Sequence, residues 1–296
     1  MQLRQLIGPV FVLSLIAVAM FFFFGNPDEL TLLTDALPVF YSGIALAMLI
    51  GTYFLYHRWS SDVGRAWFLL SIGMACWFIA ELLFGIFDVT TPGGAPYPSL
   101  ADAMWLIGYP LLIIGTWLLL GAISTGKTKV LLVGSAITVA VLVFVLFFIA
   151  PQAMLETDLG VAFFNIAYPA LDAFLVGMAI CILILSYGRP GGRAWVSIAG
   201  GLILITAADV LYAFLTFEGA YVSGNIVDLV WVLGYSAIGW GAYLRATQER
   251  TSLPMMAAQV TGEVRADIEK KTQSAKALGE KITGRKRKPG NGNHKR

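Results

Sequence analysis

Five carboxylates stand inside long apolar stretches of this 296-residue chain: Glu81, Asp102, Asp172, Asp209 and Asp228. An acid at the centre of a membrane helix costs roughly 2.5–3.5 kcal/mol on insertion scales and less near an interface, so each must face a protein interior or water. No Lys or Arg lies within the membrane to neutralise them. They must be protonated, hydrogen-bonded to Tyr, Trp or Ser, solvated, or paired with a cation from outside. Aromatic residues follow them at helical spacing. Asp102, Trp105 and Tyr109 fall at i, i+3 and i+7, Asp228, Trp231 and Tyr235 repeat the stripe, and Asp209 and Tyr212 are three apart. Carboxylates beside aromatic faces suit organic cations. The expected site is an outward-facing acidic and aromatic cavity in which Glu81, Asp172 and Asp209 bind a ligand or exchange protons. Asp102, Asp228, Trp105, Tyr109, Tyr212, Trp231 and Tyr235 complete it. The plainer chemistry is structural: Asp102 and Asp228 suit helix starts, and the others can tie helices together.

Other chemistries find little support. His57 and His294 are the two histidines, and Cys76 and Cys181 sit in separate apolar runs, so neither a disulfide framework nor a metal site is expected. Glycine-rich nucleotide motifs and nucleophile elbows do not appear, and no lysine in the last spans could carry a retinal Schiff base. No catalytic residue, cofactor or metal is expected, and the chain does not read as an enzyme.

The elements that position these residues follow from hydropathy. The chain is 58% hydrophobic and 13% charged, with mean hydropathy +0.76, which places most of it in lipid. A bilayer core of roughly 30 Å needs about 20 apolar residues as helix. Eight stretches qualify, near 5–24, 36–56, 66–87, 101–121, 129–150, 160–186, 194–217 and 226–244. The first is longer than a signal-peptide core and lacks a small-residue cleavage pattern, so it is expected to be retained. The cations Arg4, Arg58, Arg65, Lys127, Lys129, Arg189, Arg193 and Arg245 all fall on one side of these spans. Asp28, Glu29, Asp35, Asp88, Glu156, Asp158 and Glu218 are placed in the opposite loops. The positive-inside rule then predicts a multi-pass cell-membrane protein with both termini cytoplasmic.

The spans repeat. Gly64-Arg65-Ala66-Trp67 recurs as Gly192-Arg193-Ala194-Trp195 after 128 residues, an offset that also aligns Glu81 with Asp209 and Phe84 with Tyr212. An offset of 126 aligns Asp102, Trp105, Gly108 and Tyr109 with Asp228, Trp231, Gly234 and Tyr235. Pro38 and Pro169 fit the scheme loosely. Four helices per unit give both units the same orientation, so the repeat is parallel. The expected fold is an all-α polytopic bundle of eight transmembrane helices in two parallel four-helix repeats, 1–125 and 126–248, with a tail at 249–296.

That tail is basic. Residues 246–296 carry 12 Lys+Arg against 5 Asp+Glu, while residues 1–245 carry 8 against 13. Val260, Val264, Ile268, Ala275, Leu278 and Ile282 form a thin helical stripe, and the stretch from Gly284 to Asn291 is disordered in composition. Anionic headgroups attract such a segment at about 1 kcal/mol per cation. The expected partners are membrane lipids and a cytoplasmic protein reached through the tail, with homo-oligomerisation left open and no nucleic acid.

The stretch from Tyr97-Pro98-Ser99 through Asp102 and Trp105 to Gly108-Tyr109-Pro110, together with Tyr168-Pro169-Ala170-Leu171-Asp172, resembles a known module. It is similar to the eight-helix membrane region N-terminal to diguanylate cyclase (GGDEF) and EAL phosphodiesterase domains in some bacterial proteins. Ala207-Ala208-Asp209-Val210-Leu211-Tyr212 and Leu229-Val230-Trp231-Val232-Leu233-Gly234-Tyr235 fit the same pattern, over about residues 35–245. The resemblance implies a sensory input role. Here a basic tail follows the last span in place of an output domain, so output is expected to pass through a partner. Sensor-like ligand binding is the leading reading. A small transporter or proton-coupled carrier is the alternative, and a membrane scaffold or assembly protein a second one.

Overall fold

Backbone amides in lipid have no water to bond, so a chain this apolar crosses a membrane as helices that satisfy their own N–H and C=O groups. The computed structural model describes residues 15, 16, 18, 27–56, 61–92, 94–123, 128–189, 191–221, 225–248 and 273, and every regular element among them is helical. Seven helices are long and apolar enough to span a bilayer. They are α1 (Pro27–Tyr56), α2 (Asp62–Thr90), α3 (Leu100–Ile123), α4 (Thr128–Ala153), α5 (Leu159–Ser186), α6 (Gly192–Phe217) and α7 (Ile226–Gln248). The chain is a multi-pass membrane protein, helical in every regular element of its described residues. The expected span at 5–24 lies outside the described residues except for Leu15, Ile16 and Val18, which are helical. The tail at 249–296 lies outside them except for Gln273. Contacts divide the chain into two compact units, Met1–Ala246 and Thr247–Arg296.

Helix starts and stops depart from the hydropathy edges where local chemistry favours more helix. α1 begins at Pro27, so Asp28, Glu29 and Asp35 are helical rather than in a loop. A proline at the first helical position and acids in the first turn both suit a helix N-terminus, where hydropathy is blind. α2 begins after Ser61, whose side chain accepts from the Gly64 N–H at 3.0 Å, and it runs on to Thr90, taking Asp88 into its last turn. α4 is α-helical to Phe144 and then opens into a π turn over Val145–Ile149 before Pro151. A proline has no N–H and its ring clashes with the carbonyl four residues back, which the wider π turn relieves.

Glycines set the closest helix contacts. Between α2 and α3, a Cβ on Gly73 would lie 2.7 Å from Leu112 Cγ and one on Gly115 3.0 Å from Leu70 Cγ, while Gly108 faces Trp77. Between α6 and α7, a Cβ on Gly201 would lie 2.7 Å from Ile238 Cγ1, and one on Gly234 or Gly241 2.5 Å from Ile205 or Ile198 Cγ1. Small residues allow such approach where lipid supplies no hydrophobic drive. The contacts correspond pair by pair at offsets of 128 and 126: Gly73–Leu112 with Gly201–Ile238, Trp77–Gly108 with Ile205–Gly234, Leu70–Gly115 with Ile198–Gly241.

The two helix pairs meet through aromatic and polar ties. Trp67 of α2 stacks on Trp195 of α6 with ring centroids 5.4 Å apart, and Arg245 lies 5.2 Å above the Trp195 ring. Thr52 of α1 donates to the Ala242 carbonyl of α7 at 3.0 Å. Of the seven spans α7 is the most enclosed by protein and α4 the least. Its exposed Leu132, Val139, Leu146, Phe147 and Phe148 present the apolar surface that a lipid-facing helix requires.

Candidate functional site

Four of the acids are hydrogen-bonded to aromatic side chains of other helices, and three of them, Glu81, Asp172 and Asp209, lie along the middle of their helices. Tyr109 of α3 contacts two carboxyls with its hydroxyl, Asp172 Oδ1 of α5 at 2.8 Å and Asp209 Oδ2 of α6 at 3.2 Å. Trp231 of α7 donates its indole N–H to Asp209 Oδ1 at 2.7 Å. Tyr235 of α7 donates to Glu81 Oε1 of α2 at 2.5 Å. Tyr109 and Tyr235 occupy matching places in the sequence, as do Asp209 and Glu81. Each tyrosine therefore reaches the acid of the opposite helix pair, so the two bonds cross.

Trp77 of α2 sits between the arms, its ring 5.2 Å from Tyr109 and 6.3 Å from Tyr235, and its indole donates to the Trp105 carbonyl at 3.1 Å. Asp172 is 1% exposed and Tyr109 and Tyr235 are each 2% exposed, whereas Glu81 and Asp209 are half-buried. Asp172 Oδ2 has no hydrogen-bond partner among the described residues.

Asp102 and Asp228 stand apart at helix starts. Ser99 caps α3, its hydroxyl accepting from the Ala101 N–H, and Asp102 Oδ2 reaches back to accept from the Ser99 N–H at 2.7 Å and hydroxyl at 2.9 Å. This is a capping box with aspartate in the glutamate place. Its other oxygen accepts from Tyr168 of α5 at 3.0 Å. Asn225 and Asp228 hold the same positions at the start of α7, and Asp228 Oδ1 accepts from Tyr221 at 2.8 Å. Aromatic contacts join both to the network: Tyr168 lies 6.0 Å from Tyr109, and Tyr212 lies 4.7 Å from Tyr221 and 5.4 Å from Trp231. The tilted Tyr212–Trp231 contact matches Phe84–Trp105 at 5.8 Å.

All ten expected site residues thus belong to one continuous set of contacts, with Glu81, Tyr109, Asp172, Asp209, Trp231 and Tyr235 at its centre. Sequence reasoning passed over Trp77, Tyr168, Tyr221 and Ser99. Trp77 and Tyr168 lie four residues before Glu81 and Asp172, on the same helix face, and Ser99 lies three before Asp102, so these three carried a spacing signal. Tyr221 carried none. At the adjoining loop, Tyr97 donates to Asn165 Oδ1 at 2.7 Å. Tyr97 is exposed overall, yet partial desolvation of its phenol, with Asp102, Tyr212 and Glu156 nearby, pushes it above the ordinary tyrosine range and keeps it a donor.

Among the described residues no cluster of His, Cys, Asp and Glu could hold a metal ion, and Cys76 and Cys181 are free and buried. A separate cavity of about 210 Å³ lies at the other end of the helices, lined by Ile123, Leu185, Ser186, Arg189, Gly192 and Trp195. Compared with family models, curated proteins and solved structures, the chain matches none.

Proposed function

We propose that this is a sensor-like, ligand-binding membrane protein whose site is the crossed tyrosine and carboxylate network, open to the outside of the cell. The observation that carries the reading is the pair of crossed bonds, Tyr109 to Asp209 and Tyr235 to Glu81. A cationic or polar ligand that competes for these acids alters both ties between the two helix pairs together. Binding is thereby converted into a change in how the pairs sit, which is what a sensor needs. Half-buried Glu81 and Asp209 give access, and Trp231, Trp105 and Tyr212 supply faces for an organic cation.

The reading includes an eighth helix at 5–24 and a parallel duplication of four helices, supported by the matched glycine contacts of α2–α3 and α6–α7. It places both termini in the cytoplasm on the one-sided cations, and the basic tail against anionic headgroups or a protein partner. The resemblance to membrane input modules of cyclic-dinucleotide enzymes points the same way, and no enzymatic activity is assigned.

The test is a titration of the full chain in nanodiscs with tetramethylammonium and spermidine, read by tryptophan fluorescence. Saturable quenching that is lost in Asp209→Asn and Glu81→Gln supports the reading. No saturable response to either probe from wild-type protein overturns it. The parallel repeat also suits alternating access by a small carrier, with the same acids coupling protons. Cation uptake into proteoliposomes driven by a pH gradient would favour the carrier over the sensor.

A further inference from the structure

A phenol carries one O–H proton and can also accept. Tyr109 meets Asp172 Oδ1 at 2.8 Å and Asp209 Oδ2 at 3.2 Å, so it donates to one carboxylate at a time. If both acids were ionised, one contact would set a carboxylate oxygen against a phenol oxygen with no proton between them. A single added proton removes that conflict. Carried on Asp172 Oδ1, it donates to Tyr109, and Tyr109 donates onward to Asp209. Asp209 then accepts from both Tyr109 and Trp231, as suits the ionised member of the pair. Asp172 Oδ2, without a partner, becomes the carbonyl of a neutral acid, which is far cheaper to bury bare than half of a carboxylate.

The surroundings agree. Tyr109 from α3 and Trp231 from α7 touch the pair; Tyr168 from α5 itself packs on Tyr109 and Tyr212 from α6 on Trp231, Asp102 of α3 is bonded to Tyr168, Asp228 of α7 to Tyr221, and Glu81 of α2 to Tyr235 of α7. No Lys or Arg of the described residues forms an ion pair with Asp172 or Asp209.

We infer that the Asp172–Tyr109–Asp209 chain is a proton-binding site holding one exchangeable proton, carried by Asp172 and relayed through the Tyr109 hydroxyl toward Asp209. The inference rests on the reading of these acids as an externally accessible site and names the proton as a ligand of it. The proton enters from and returns to external water by way of half-buried Asp209, and no bond other than O–H forms or breaks. When the proton leaves, Tyr109 can serve only one acid, and a tie between α3 and either α5 or α6 is lost.

The experiment is infrared difference spectroscopy of the full chain in nanodiscs at neutral pH, in H₂O and D₂O. The expected result is a protonated-carboxyl carbonyl band that shifts down in D₂O, disappears in Asp172→Asn and persists in Asp102→Asn. A wild-type spectrum with no such band overturns the inference, as does a band that survives in folded Asp172→Asn. If Asp172→Asn does not fold, Tyr109→Phe serves: it keeps both acids, so a moved band supports the inference and an unmoved one sinks it. The two readings fail separately. Cation quenching without the band removes the proton site alone, and the band without cation quenching removes the organic-cation site alone.

Discussion

A tyrosine hydroxyl facing an acid within a membrane is worth less than its short distance suggests. Hydrogen bonds between membrane helices contribute on the order of 1 kcal/mol, because polar groups of the unfolded chain in lipid also find partners. Tyr235→Phe keeps the ring against Trp77 and removes the hydroxyl that donates to Glu81 and also bonds the Trp105 side chain. The expected loss is about 1 kcal/mol, read from detergent-induced unfolding. Glu81→Gln still accepts from Tyr235 and should lose less. Combining Tyr235→Phe with Glu81→Ala should cost less than the two single changes added together, since the second removes a bond already gone. Full additivity would show that the pair does not interact.

At the scale of elements, glycine placement decides which helices approach. Gly200 and Gly201 are neighbours on α6 with opposite surroundings. A Cβ on Gly201 would lie 2.6 Å from the Gly234 carbonyl oxygen, whereas a Cβ on Gly200 would have nothing within 4 Å. Gly201→Ala should therefore destabilise by about 1–3 kcal/mol through overpacking. Gly200→Ala should be neutral or stabilise by up to about 1 kcal/mol, because alanine is the better helix former. Equal effects from the two changes in the same unfolding assay would reject the close α6–α7 approach.

For the whole molecule, the one-sided cations make a prediction about sidedness. The native thiols Cys76 and Cys181 are buried, so single new cysteines report accessibility over a low background. Ala220→Cys lies in the turn after α6 and Tyr187→Cys in the turn after α5, where Tyr187 is 78% exposed. A membrane-impermeant maleimide should label Ala220→Cys on intact cells and Tyr187→Cys only after permeabilisation. The reverse pattern would invert the topology and put the acidic network on the cytoplasmic side.

The helical class, the seven spans of the described residues and the acids within them were legible in the residues themselves, because lipid penalises polar groups whatever their tertiary setting, while the expected eighth span at 5–24 falls outside those residues. The similar stripes Asp102, Trp105, Tyr109 and Asp228, Trp231, Tyr235 were legible too, since helical period alone puts each on one face of its helix. What the period could not say is which helix that face meets. That Asp102 and Asp228 stand at helix starts was legible, but that Asp172 and Asp209 share the Tyr109 hydroxyl was not. The crossing of Tyr109 to Asp209 and Tyr235 to Glu81 joins residues 100 and 154 positions apart. Pairing at such separations depends on how the two helix pairs pack on each other, as in the Trp67–Trp195 stack, and that shape complementarity is encoded in no local pattern.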